Sequence, residues 1–86
     1  MAPNTTLERR TMLLADRRTT VALQRIEWVM LEEVAVREDV TVKFLIYRAE
    51  AIRGPSSIPS ALRLMLLRYW RGTESGVADP FGFVRA

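Results

Sequence analysis

The sequence predicts a mainly α protein with one short β-strand that works as a pair of copies, and three observations carry that prediction. Arg17-Arg18-Thr19-Thr20-Val21-Ala22-Leu23 alternates at period two and runs directly into a helical pattern that starts at Gln24 or Arg25. Further helical patterns follow, with no second strand after the first. The chain has 86 residues, and so short a chain buries little of its surface when it folds alone.

Within the strand, Thr19, Val21 and Leu23 fall on one face and Arg18, Thr20 and Ala22 on the other, because successive side chains point to opposite sides. β-Branched residues favour the extended chain. A lone strand leaves its backbone N–H and C=O groups without partners, and the nearest relief is a second copy of itself. Two copies pairing antiparallel across a two-fold axis form a ribbon carried on helices. Arg10-Thr11-Met12-Leu13-Leu14 is a candidate additional strand, joined to the first through Ala15-Asp16-Arg17. The turn chemistry there is weak, since hairpin turns favour Gly, Asn or Asp at positive φ and Ala15 is a poor choice.

The first helix is expected from about Arg25 to Arg37, with Trp28, Leu31, Val34 and Ala35 on its core face. Ile26, Val29, Met30 and Val36 point elsewhere; they either pack under neighbouring segments or meet another molecule. Thr41 is the expected N-cap of the second helix, leaving the amides of Val42 and Lys43 at its positive end. That end suits an anion, and Lys43 adds a charge beside it. The second helix continues through Phe44, Leu45, Ile46, Tyr47, Ala49 and Ile52 to Arg53, and Gly54-Pro55 stops it. Ser56 or Ser57 caps a third helix, whose apolar arc is Ala61, Leu62, Met65, Leu66, Tyr69 and Trp70, with Leu64 and Leu67 set among arginines. Residues 1–9 are expected to form a disordered arm, 10–71 the folded domain and 72–86 a flexible tail, in which Phe81, Phe83 and Val84 are either a binding motif or stray apolar residues.

The strand Arg17–Leu23, with Trp28, Leu31, Val34-Ala35, the turn Glu38-Asp39-Val40-Thr41 and the apolar Leu45-Ile46, resembles the ribbon-helix-helix DNA-binding fold of the Arc/MetJ type. The downstream segment Ile58-Pro59-Ser60-Ala61-Leu62-Arg63-Leu64 is similar to the extra segment of small bacterial ribbon-helix-helix domain proteins. The resemblance implies an intertwined homodimer with an intermolecular ribbon and an additional C-terminal helix. Its core would comprise Thr19, Val21, Leu23, Trp28, Leu31, Leu45 and Ile46. Arg18, Thr20 and Ala22 would meet base edges, while Arg17, Thr41, Val42 and Lys43 would contact phosphates on either side of the ribbon. Glu27 departs from the family pattern, which has an apolar residue at that position.

Charge is consistent with such a partner. The net charge is only +3, but residues 1–23 hold four arginines against two acids and residues 51–86 five against two, while residues 24–50 hold four basic and six acidic groups. With no cysteine and no histidine, disulfides, the usual transition-metal sites and histidine-based acid–base catalysis are unavailable. Neither an enzyme nor a cofactor is expected. No secretory leader and no apolar run of membrane-spanning length is evident, which points to a cytoplasmic protein. The expected function is a dimeric, sequence-specific regulator whose two-stranded ribbon enters the major groove of double-stranded DNA. The alternatives are an antitoxin whose tail wraps a toxin, and a dimeric adaptor that has lost DNA binding and meets a protein partner through its first and third helices or its tail.

Overall fold

A computed structural model describes residues 6–75 and Phe81, with side chains through Gly72 and at Phe81. Two antiparallel strands, β1 (Leu7–Leu14) and β2 (Arg17–Gln24), precede three helices, α1 (Arg25–Glu38), α2 (Val42–Ile52) and α3 (Ile58–Ser75). The additional strand therefore forms, and it is longer than the sequence implied. Leu7, Glu8 and Arg9, expected in a disordered arm, belong to β1, because their partners Gln24, Leu23 and Ala22 extend the ladder to the start of α1.

The hairpin is closed by Ala15 and Asp16 alone, since Leu14 already faces Arg17. Ala15 sits at φ 57°, the left-handed value that a tight two-residue turn demands and that an alanine adopts only at a cost. Eight cross-strand positions hold it there. β1 thus supplies backbone partners along one edge of β2, as the candidate additional strand would.

The inner face of the hairpin packs on the helices. β2 contributes Val21 and Leu23 and β1 contributes Leu14, all buried, with Met12 packed against them. Trp28 of α1 is buried beneath the hairpin, and its indole N–H donates to the Glu8 carbonyl at 2.9 Å. The guanidinium of Arg10 lies 4.3 Å from the Trp28 ring centroid and reaches Glu32 at 3.2 Å, so one inward-facing arginine covers the indole and joins β1 to α1.

α1 ends at Asp39, whose φ of 56° reverses the chain; an aspartate tolerates this conformation better than most residues do. Thr41 caps α2 as expected, its hydroxyl accepting from the Phe44 amide at 3.0 Å. Leu45, Ile46 and Ala49 of α2 are buried. Gly54, at φ +58°, follows Arg53 at the end of that helix. Ser57 caps α3, its Oγ accepting from the Ser60 amide at 3.2 Å. The apolar arc of Ala61, Leu62, Met65, Leu66 and Tyr69 closes the core.

Glu27, at the position where the resemblance implied an apolar residue, is tied into the fold by polar contacts. Its carboxylate accepts from the Gln24 amide at 2.8 Å and pairs with Arg63 of α3. Burial alone would raise this carboxyl; the hydrogen bond from Arg63, the bond from the Gln24 backbone and the charge of Arg63 together outweigh it and hold the group below its ordinary value. An ion pair thus joins α1 to α3 at this position.

At the C-terminal end, α3 continues through Gly72 to Ser75, so residues 72–75 are helical. A single glycine costs a helix only about 1 kcal/mol and does not by itself stop one. Phe81 is fully buried. Its ring meets the Tyr69 ring edge-on at a centroid distance of 6.3 Å, and its carbonyl accepts from Arg48 Nε at 3.1 Å. It is a core residue and not a free binding motif; Phe83 and Val84 lie outside the described residues.

Candidate nucleic-acid interface

The antiparallel register decides which side chains share the outward face. Arg18, Thr20 and Ala22 of β2 point away from the helices, as alternation requires, and the register sets Leu13, Thr11 and Arg9 of β1 beside them in turn. Arg9, Thr11, Leu13, Arg18 and Thr20 are exposed, and Ala22 is half-buried. The Thr11 and Thr20 hydroxyls meet at 2.8 Å. One hydroxyl donates to the other, which leaves the pair an outward donor and free acceptor lone pairs.

Arginine pairing divides along the same line. Arg10 and Arg17 reach toward the helices and are paired, with Glu32 at 3.2 Å and Glu50 at 2.7 Å. Arg9 and Arg18, on the outward face, have no hydrogen-bond or ion-pair partner among the described residues. The hairpin's two acids are placed elsewhere: Glu8 faces inward and pairs with Arg25 at 3.0 Å, and Asp16 lies in the turn. The outward face therefore carries two unneutralised guanidinium groups and no carboxylate.

Of the residues expected in a dimer core, Val21, Leu23, Trp28, Leu31, Leu45 and Ile46 are buried within the single protomer and Thr19 is half-buried. β1 and α3, which complete that core, are the elements that let one chain cover them.

The expected phosphate contacts separate into two groups. Thr41, Val42 and Lys43 stand together at the open end of α2, where the cap satisfies the Phe44 amide and the amides of Val42 and Lys43 precede the first intrahelical bond, from Leu45 to the Thr41 carbonyl. Lys43 is exposed there. Arg17 is not with them. Its partner Glu50 lies nine residues beyond Thr41, about 13 Å along the helix at ~1.5 Å per residue. Glu50 also takes Arg53, at 2.9 Å. The sequence reading did not place Arg9 and Thr11 on the outward face, although Arg9-x-Thr11-x-Leu13 has the spacing of Arg18-x-Thr20-x-Ala22.

Apolar side chains remain uncovered on the helices. Ile26, Val29 and Val36 of α1 are exposed, Val36 to 83%, as are Leu64 and Leu67 of α3, while Met30 packs against the core. Among the described residues no helix is long and apolar enough to cross a membrane, and no group of three or more acidic residues is placed to hold a metal ion.

A two-stranded antiparallel ribbon leading into consecutive helices, with a cationic polar face turned away from the core, defines a class of small DNA-binding regulators. The family model described as a ribbon-helix-helix domain matches residues 7–70, and the chain belongs to that family. No curated protein and no solved structure matches the chain.

Proposed function

We propose that the protein is a dimeric, sequence-specific transcriptional regulator that lays the outward face of its β-ribbon in the major groove of double-stranded DNA. The observation that carries this reading is the pairing pattern of the arginines: those facing the helices are neutralised, whereas Arg18 and Arg9 are left free on a face without acids. Arg18 reads guanine through a bidentate pair, Thr20 contacts a base edge, and Ala22 offers apolar contact. The amides of Val42 and Lys43, capped by Thr41 and helped by the Lys43 ammonium, hold a backbone phosphate. The apolar side chains left exposed on α1 and α3 support assembly with a second copy.

Those same residues favour one other reading, a dimeric adaptor that no longer binds DNA. The antitoxin reading is weaker, because Phe81, part of the tail that would wrap a toxin, is used in the protein's own core. Filter binding to random-sequence duplex at two salt concentrations separates regulator from adaptor. A regulator binds and weakens steeply as salt rises; absence of salt-dependent binding selects the adaptor. Arg18→Ala should then reduce specific binding far more than nonspecific binding.

A further inference from the structure

Two helices turn apolar rows outward, and the charges set into those rows are opposite. On α1, Val29, Glu32, Glu33 and Val36 stand at positions i, i+3, i+4 and i+7 and line one shallow depression together with Arg37. Four residues at that spacing make the hole that receives a side chain of a facing helix. Both valines are exposed. Glu33 is exposed too and has no hydrogen-bond or ion-pair partner among the described residues. The arginines beside the row are engaged within the fold, Arg25 with Glu8 at 3.0 Å and Arg37 at 5.2 Å from the Trp70 ring centroid. The row is therefore acidic at its middle.

On α3, Ser60, Leu64, Leu67 and Arg71 recur at intervals of four, three and four, the spacing of a helical seam. Leu64 and Leu67 are exposed, Leu67 to 66%. Between Ile58 and Gly72 the helix carries Arg63, Arg68 and Arg71 and no acid. Arg63 is paired with Glu27, but Arg68, next to Leu67, is exposed and has no hydrogen-bond or ion-pair partner among the described residues. A basic apolar seam thus matches an acidic apolar hole.

We propose that α3 of one copy docks on the outward face of α1 of another, with Leu67 seated between Val29 and Val36 and Arg68 set against Glu33. This deepens the assembly assigned above to the exposed side chains of both helices by stating which faces meet, and it involves no residue of the ribbon. Charge selects the pairing. Two copies of α3 would set arginines against arginines and two copies of α1 would oppose their glutamates, so like faces repel while unlike faces attract. The apolar dimensions agree. Val29 and Val36 are about 10.5 Å apart along their helix at ~1.5 Å per residue, and Leu64 and Leu67 about 4.5 Å, so the leucines fit within the span of the valines. Because the two faces differ, the contact is head-to-tail and leaves an α1 face open on one copy and an α3 face open on the other. It adds to a two-fold dimer and joins one dimer to the next. Few side chains are covered, so the contact is weak and sensitive to salt.

The test is sedimentation velocity of the full chain over a concentration series, with Glu33→Arg, Arg68→Glu and the two substitutions combined, and circular dichroism to verify folding. Both positions are exposed, so the variants should fold. Wild type should form species larger than a dimer as concentration rises. Each single variant sets like charges in contact and should raise the dissociation constant of that step by about tenfold or more, and the combined variant, with its charges exchanged, should recover it. Leu67→Ser should weaken the same step. A wild-type chain that never exceeds the dimer, single variants that assemble as wild type does, or a combined variant that fails to recover would each overturn the α1–α3 contact. None of these results bears on the DNA-reading assignment, which filter binding decides separately.

Discussion

Phe81→Ala should be among the most damaging substitutions in this protein, although the residue lies in a segment whose sequence reads as a tail. Its side chain is fully buried against Tyr69. A buried phenylalanine removes about 150–200 Å² of mostly apolar surface from water, which at ~25 cal/mol per Å² corresponds to about 4–5 kcal/mol, an upper bound because the unfolded chain is already partly collapsed. The usual range for truncating a core phenylalanine to alanine, about 3–5 kcal/mol including the residual cavity, agrees. A domain of this size has about 4–13 kcal/mol of stability in total, so the change consumes a large share of it. Urea unfolding followed by far-ultraviolet circular dichroism should show the midpoint falling by at least about 1 M, and the melting temperature should drop by about 12 °C or more. A loss below about 0.5 kcal/mol is what an exposed tail residue gives, and it would refute the placement of Phe81 in the core.

Three further outcomes are expected. Lys43→Ala should weaken binding to every duplex about equally and lower the salt slope by roughly one per protomer, measured by filter binding across a salt series; an unchanged slope excludes a phosphate contact. Ala15→Gly should stabilise the protein by about 0.5–1 kcal/mol in urea titrations, because glycine carries no steric penalty at the φ of 57° found there; a clear loss of stability would mean that the turn has another conformation. The carboxyl of Glu27 titrates below its ordinary 4.5 in the folded state, so its contribution is present above the unfolded value and is lost as pH falls through the lowered folded value. Arg63→Met should therefore reduce stability at neutral pH and flatten the decline below about pH 4.5, and unfolding curves that keep the wild-type acid slope would show that the pair is not responsible.

Local periodicity and capping were enough to place the first two helices, the start of the third, the Thr41 cap, the Gly54 stop and the two faces of β2, but not the end of α3, which runs past Gly72 to Ser75. Each depends on neighbours within a few residues: Val21 and Leu23 turn inward and Arg18 and Thr20 outward because a pleated strand permits nothing else. Period-two alternation also raised β1, but its pairing rests on Ala15 at positive φ, a conformation that local propensity opposes and that eight cross-strand positions impose. Tertiary structure alone decided which arginines are free. Arg9, Arg10, Arg17 and Arg18 are equivalent in composition, and only the placement of Glu32 and Glu50 on the helices neutralises Arg10 and Arg17. The same holds for Phe81, whose burial depends on a cavity formed by residues distant in the chain; no local pattern marks it, because a core contact is a property of the assembled elements and not of the segment that supplies the side chain.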